Sequence, residues 1–156
     1  MNTIALIISI LLAQTAGIIG SLFTAQSVTT WYVALEKPFF NPPTWVFGPV
    51  WITLYTLMGI AAYLVWKKRA KQSKKVRKAL TLYAIQLVLN ALWSIIFFGY
   101  HVMGWAVVEI VILLMAIILT PRAFWNIDKR AGWLFIPYIA WVSFASILNI
   151  SLWLIN

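Results

Sequence analysis

The chain has 156 residues, 63% of them hydrophobic and 10% charged, with a formal charge of +9. A soluble domain carries about 25% charged residues, so an ordinary water-soluble fold is excluded and a membrane protein is implied. The basic excess does not mark a nucleic-acid binder, because eight of the twelve basic residues fall in the single run KKRAKQSKKVRK (Lys67 to Lys78) with no soluble basic surface around it. Without cysteine there is no disulfide, thiolate chemistry or Cys-held metal or haem.

Five apolar segments follow in chain order, each long enough to cross about 30 Å of hydrocarbon at 1.5 Å per residue. The first, Ile4 to Thr24, has no Lys or Arg ahead of it to make the charged region of a signal peptide, so it reads as a membrane helix. A loop over about 25–44 comes next; its stretch WYVALEKPFFNPPTW (Trp31 to Trp45) holds three prolines and five aromatics. The second span is Trp45 to Trp66, and the basic run forms the loop after it. The third and fourth, Ala79 to Phe98 and Met103 to Thr120, are joined by the short hairpin GYHVMG; the fifth is Gly132 to Ile155, with a kink expected at Pro137. The sequence thus predicts an all-α membrane protein, one five-helix bundle over 1–156.

With five spans the second and fourth loops share a side with the N-terminus. They hold eleven of the twelve basic residues, against Lys37 alone on the other side. The positive-inside rule therefore predicts a cytoplasmic N-terminus and an outward-facing proline-rich loop. The basic run also suits a surface of anionic lipid heads.

Small and polar residues at helical spacing mark the inward faces. They are Ala13, Gln14, Gly17 and Ser21 on the first helix, where small residues let another backbone approach; Trp51, Tyr55 and Met58 or Gly59 on the second; Gln86, Asn90 and Trp93 on the third; and Trp141, Ala145 and Asn149 on the fifth. These faces admit two readings. Either Gln86, Asn90 and Asn149 join helices and the tryptophans pack, or the four faces enclose a cavity for a flat, mostly apolar ligand. Ten tryptophans, six tyrosines and nine phenylalanines exceed what two interfacial belts need, so some rings line an interior.

The blocks WYVALEKPFFNPPTWVFGPVW (Trp31 to Trp51), LYTLMGIAAYLVW (Leu54 to Trp66), QLVLNALWSIIFFG (Gln86 to Gly99), MGWAVVE (Met103 to Glu109) and PYIAWVSFASILN (Pro137 to Asn149) closely resemble, in order, the tryptophan-rich sensory protein/translocator protein family, also called the peripheral-type benzodiazepine receptors. The resemblance implies a five-helix bundle with a pocket beneath the first loop. It also implies binding of porphyrins, or of isoquinoline- or benzodiazepine-type molecules, without a required cofactor, and a homodimer. Carried over by position, the pocket residues are Trp51, Trp93, Trp141 and Phe144, with Asn90 and Ala145 on the same wall and Trp31 and Tyr32 closing over the ligand. Tyr55 and Gln86 join this set from the inward faces. Animal members carry a cholesterol motif near the C-terminus; here LNISLWLIN (Leu148 to Asn156) lacks its tyrosine and basic residue, and the tail suits a bacterial cell membrane.

The prolines of the first loop fix φ and cannot donate hydrogen bonds, which predicts a stiff lid. No catalytic or metal-binding set assembles from three acids and one histidine. His101 reads as a hairpin residue, with axial haem ligation as the alternative, and Glu109 as an intramembrane acid paired with a Trp N–H or an amide. A transport or sensing protein is the leading function. Light-dependent oxidative breakdown of porphyrin by rings beside the ligand, or a structural membrane role without ligand, are the alternatives.

Overall fold

The computed structural model describes residues 2–156, and their regular structure is helical throughout. Five helical stretches are long and apolar enough to cross a membrane, Thr3–Thr29, Thr44–Trp66, Ser73–Gly99, Met103–Trp125 and Lys129–Ile155.

The first helix, α1 (Thr3–Thr29), starts on an Asn2 cap whose side chain accepts from the Ala5 N–H. It runs five residues past the expected end. Hydropathy falls after Thr24, but no proline or glycine breaks the helix there, and the hydroxyls of Thr24, Thr29 and Thr30 bond back to carbonyls of Gly20 and Gln26, which satisfies polar groups without leaving the helix. The short α2 (Trp31–Ala34) follows, so part of the expected loop is helical. A 3₁₀ turn at Thr44–Val46 leads into α3 (Phe47–Trp66).

The basic run is not all loop. Helix α4 (Ser73–Ser94) takes in its second half, because Lys and Arg are good helix formers. At its far end the ladder widens into a π turn, Ile95–Gly99, and His101 then turns the hairpin with φ of 57°. Helix α5 (Met103–Trp125) continues through Pro121 rather than stopping at Thr120, held by the burial of Phe124 against Tyr83 and Phe135. Asp128 caps the short α6 (Lys129–Trp133), and its Oδ2 lies 3.0 Å from Arg130 Nη2; that guanidinium holds the Asp128 carboxyl below the usual carboxylate range. Instead of a kink, the chain breaks after α6 and α7 (Ile136–Ile155) begins afresh with Pro137 in its first turn, where the missing N–H costs nothing.

Helix α1 packs along α3 and α4, and α5 along α4 and α7. The closest approach of α1 is at Ile10, whose Cα would lie 2.5 Å from a Cβ on Gly59. The small residue that brings these backbones together is therefore on α3. Gly17 meets the Tyr55 ring and Gly20 meets Ser94, while Ser21 is exposed. One face of α7 packs on α5, and its other face looks across a gap to α1 and α3.

Candidate functional site

That gap is a cavity of about 390 Å³. Trp51 and Tyr55 of α3 stack on one another with centroids 5.5 Å apart and form one wall. Trp93, stacked on Phe97 at 5.2 Å, and Phe98 form a second wall. Trp141, Ala145, Leu148, Asn149 and Leu152 follow one another along α7 as a third, and Gln14, Gly17 and Ser21 of α1 line the fourth side. Among the described residues that line it, none carries a charge. Ile18 and Ile52, on the rims of α1 and α3, are 60% and 61% exposed, so the cavity has a mouth between those helices, facing the bilayer. Below the mouth, Gln14 Nε2 donates to the Ile52 carbonyl at 3.0 Å and to Thr56 Oγ1 at 3.1 Å and ties α1 to α3.

Tyr32 and Phe47 roof the cavity. The Tyr32 hydroxyl donates to Asn41 Oδ1 at 2.6 Å, and burial pushes its pKa up to about 12, partly offset by that bond. Several links hold the lid. Trp31 stacks on His101 at 4.2 Å and meets Phe97 edge-on. His101 Nε2 lies 3.1 Å from Ser27 Oγ, whose hydroxyl donates to the Phe98 carbonyl, so His101 is the donor of that pair. Lys37 Nζ donates to the carbonyls of Val33 and Leu35 and sits over the Tyr32 ring. The Asn156 side chain bonds reciprocally to the backbone N–H and carbonyl of Glu36, at 2.9 and 3.0 Å.

Of the residues expected at the site, Tyr32, Trp51, Tyr55, Trp93, Trp141 and Ala145 line this one cavity. Gln86 and Asn90 do not. They are buried in a network in which Tyr55 donates to Asn90, Asn90 Nδ2 to the Tyr138 hydroxyl at 2.8 Å, and Tyr138 to Gln86 Oε1 at 2.9 Å. Phe144 lies in a shallow groove with Pro42, Pro49 and Pro137 that shares only Trp141 with the cavity, and Trp31 packs on Phe97 and His101 beside the lid rather than lining the cavity. Asn149 both lines the cavity and accepts from Trp93 Nε1 at 2.9 Å. Phe97, Leu148 and Leu152 were missed, although they extend the Trp93 and Trp141 faces by steps of three and four; Phe98 adds a neighbouring ring to the same wall. Glu109 is 6% exposed, and neither carboxyl oxygen has a hydrogen-bond partner, so the expected Trp or amide donor is not there. The Trp141 N–H is likewise buried and unpartnered.

The profile of the TspO/MBR family matches residues 9–154. This chain belongs to the TspO/MBR family. Among relatives, the Tryptophan-rich protein TspO of Archaeoglobus fulgidus is 44% identical over 156 residues, 100% of this chain and 99% of that one. The Translocator protein of Homo sapiens is 42% identical over 135 residues, 86% and 80% of the two chains. The Tryptophan-rich sensory protein of Cereibacter sphaeroides is 40% identical over 119 residues, 76% and 72%. As a TspO/MBR protein with five membrane-length helices, the chain is an integral membrane protein, and the names of its relatives, translocator and sensory protein, support a receptor-like role in the membrane.

Proposed function

We propose that the cavity binds porphyrins, or flat apolar molecules of similar breadth such as isoquinoline- and benzodiazepine-type compounds, and serves transport or stress sensing in a bacterial cell membrane. The observation that carries this reading is a roofed cavity whose walls present Trp51, Trp93 and Trp141 and no charged side chain. Rings of that kind attract a planar π system, whereas a carboxylate inside would be left without a partner. A porphyrin therefore sits with its macrocycle among the indoles and its propionates at the mouth or under the lid. The names of the relatives, translocator and sensory protein, agree with such a role.

The test is titration of the protein in lipid with protoporphyrin, read by inner-filter-corrected quenching of tryptophan fluorescence. Saturable binding is expected. Trp51→Leu and Trp141→Leu should each weaken it by about 2-fold to 13-fold, since aromatic pairing is worth roughly 0.5–1.5 kcal/mol beyond area burial. Trp66→Phe, which lies outside the cavity, should leave it unchanged. Wild-type affinity in both folded leucine variants would assign those rings to packing and overturn the reading. Illuminating the complex and assaying for oxidised tetrapyrrole separates binding from light-dependent breakdown.

A further inference from the structure

A second concavity, independent of the porphyrin site, starts at the end of the bundle away from the lid and runs up its side as far as Ile95. An apolar groove of about 770 Å³ runs along the outside of α1, α3 and α4, lined by Ile8, Leu12, Ala62, Trp66, Leu87 and Ala91 among others. On α1 it extends from Ala5 to Ile19, about 21 Å at 1.5 Å per residue. One leaflet of hydrocarbon is about 15 Å deep, so the groove is as long as an acyl chain needs.

Where α3 ends and α4 begins, the groove runs into a smaller hollow lined by Arg69, Ser73, Arg77 and Thr81. Trp66, Leu80 and Ala84 line both, so the two adjoin across these side chains. The Arg69 guanidinium is fixed at this rim: its carbon lies 3.4 Å from the Trp66 ring centroid and its Nη1 donates to the Trp66 carbonyl at 3.3 Å. The run Lys67 to Lys78 has eight basic residues and no acid. Asp128, the acid whose carboxyl feels Lys68, is already paired with Arg130. Among the described residues, the positive charge at the head of the apolar channel is thus left without a carboxylate partner.

We propose that this groove and the hollow adjoining its head together form a binding site for one anionic phospholipid of the leaflet on that side, with an acyl chain along α1 and α4 and the phosphate held by Arg69, Arg77 and the Ser73 hydroxyl. The apolar channel accepts any chain and does not choose the head group. The two guanidiniums do: their forks can pair with the phosphate oxygens of any phospholipid, but a choline's own cation is repelled by them and offsets the phosphate, whereas a head group without a cation leaves a net negative charge for them to hold. A diffuse basic loop attracts anionic lipid without holding it in one place; a channel with a charged end holds it.

The experiment compares phosphatidylglycerol with phosphatidylcholine of identical chains, added to delipidated protein in detergent and counted by native mass spectrometry. One phosphatidylglycerol per chain should be retained, in preference to phosphatidylcholine by on the order of ten-fold. Arg69→Gln with Arg77→Gln should remove the preference. Ala84→Phe, which fills the channel, should remove retention of both lipids. Lys74→Gln with Lys75→Gln deletes the same charge outside the hollow and should keep the preference. As a readout on the unaltered groove, phosphatidylglycerol with brominated chains should quench wild-type fluorescence more than that of Trp66→Phe. Equal retention of the two lipids, or loss of preference in the lysine variant equal to that in the arginine variant, overturns the proposal. So does an Ala84→Phe protein that loses oligomer mass while keeping its phosphatidylglycerol, since the groove is then an interface with a second copy.

Discussion

Asn90 uses its amide in two directions, accepting from Tyr55 and donating to Tyr138, which in turn donates to Gln86. Replacing it by leucine keeps the branched outline but leaves the Tyr55 hydroxyl without its acceptor and takes one of two bonds from Tyr138, and a buried unsatisfied group costs about 1–3 kcal/mol. Asn90→Leu is therefore expected to lower the thermal midpoint by on the order of 5 °C while leaving protoporphyrin affinity of the folded protein within about two-fold. A large affinity loss at unchanged stability would mean that Asn90 faces the ligand after all. Glu109 poses the opposite case, a buried acid without a partner. Such a group is costly to bury, so Glu109→Met should raise the midpoint in a thermal melt, and a fall would reveal a partner supplied by membrane or ligand. The inward direction of Gln86 and Asn90 was legible from their spacing. Their depth was not, because helical period gives the side of a helix and not what stands opposite, and the hydroxyl that takes up both amides arrives from Tyr138 on another helix. Trp51, Trp93 and Trp141 were legible as inward-facing from their spacing, but whether they pack or enclose a space was not; the family resemblance placed them in a pocket, and all three line the cavity.

Among the elements, α1 and α3 meet where Gly59 admits Ile10. A methyl there would lie 2.5 Å from the Ile10 Cα, so backbones must separate, and overpacking of this kind costs about 1–3 kcal/mol. Gly48 on the same helix has nothing within 4 Å of the corresponding position. Gly59→Ala should lower the thermal midpoint by several degrees and Gly48→Ala should not; equal effects would mean helix propensity decides, not contact. The lid makes a second element-scale case. Its prolines announced stiffness, but its anchors lie far away in sequence: Asn156 bonds both backbone groups of Glu36 and His101 supports Trp31. Such pairings have no local signature, so α2 and its clamps were invisible in a segment that reads as loop. Two partly exposed hydrogen bonds are worth about 1 kcal/mol together. Asn156→Ala should therefore speed protoporphyrin release by about five-fold in a stopped-flow chase, with the thermal midpoint nearly unchanged. An unaltered release rate would mean that the ligand leaves by the mouth between α1 and α3 without the lid opening.

At the scale of the whole molecule, the five spans were legible because uncharged runs of about 20 residues have one stable placement, across a bilayer. Their ends moved where apolar content and helix formation parted company, as in the basic start of α4 and the polar end of α1. Orientation rests on the same basic residues. Loops 67–72 and 126–128 and the start of α1 lie at one end of the bundle, because successive spans alternate in direction; the lid and Asn156 lie at the other. The first end carries eleven of the twelve basic residues and the lid end only Lys37. The charge asymmetry that orients a bundle is counted in short loops close to the spans, and all eleven are in or beside such loops. A reporter placed in Lys67 to Lys78 is therefore expected to read cytoplasmic, and one fused after Asn156 external. The lid would then close the cavity from the outside, and the arginine-lined head of the phospholipid groove would lie at the inner surface, where the anionic surface potential is found. A cytoplasmic C-terminal reporter would reverse the lid and move the arginine pair to the opposite leaflet, while leaving the cavity and its tryptophans as they are.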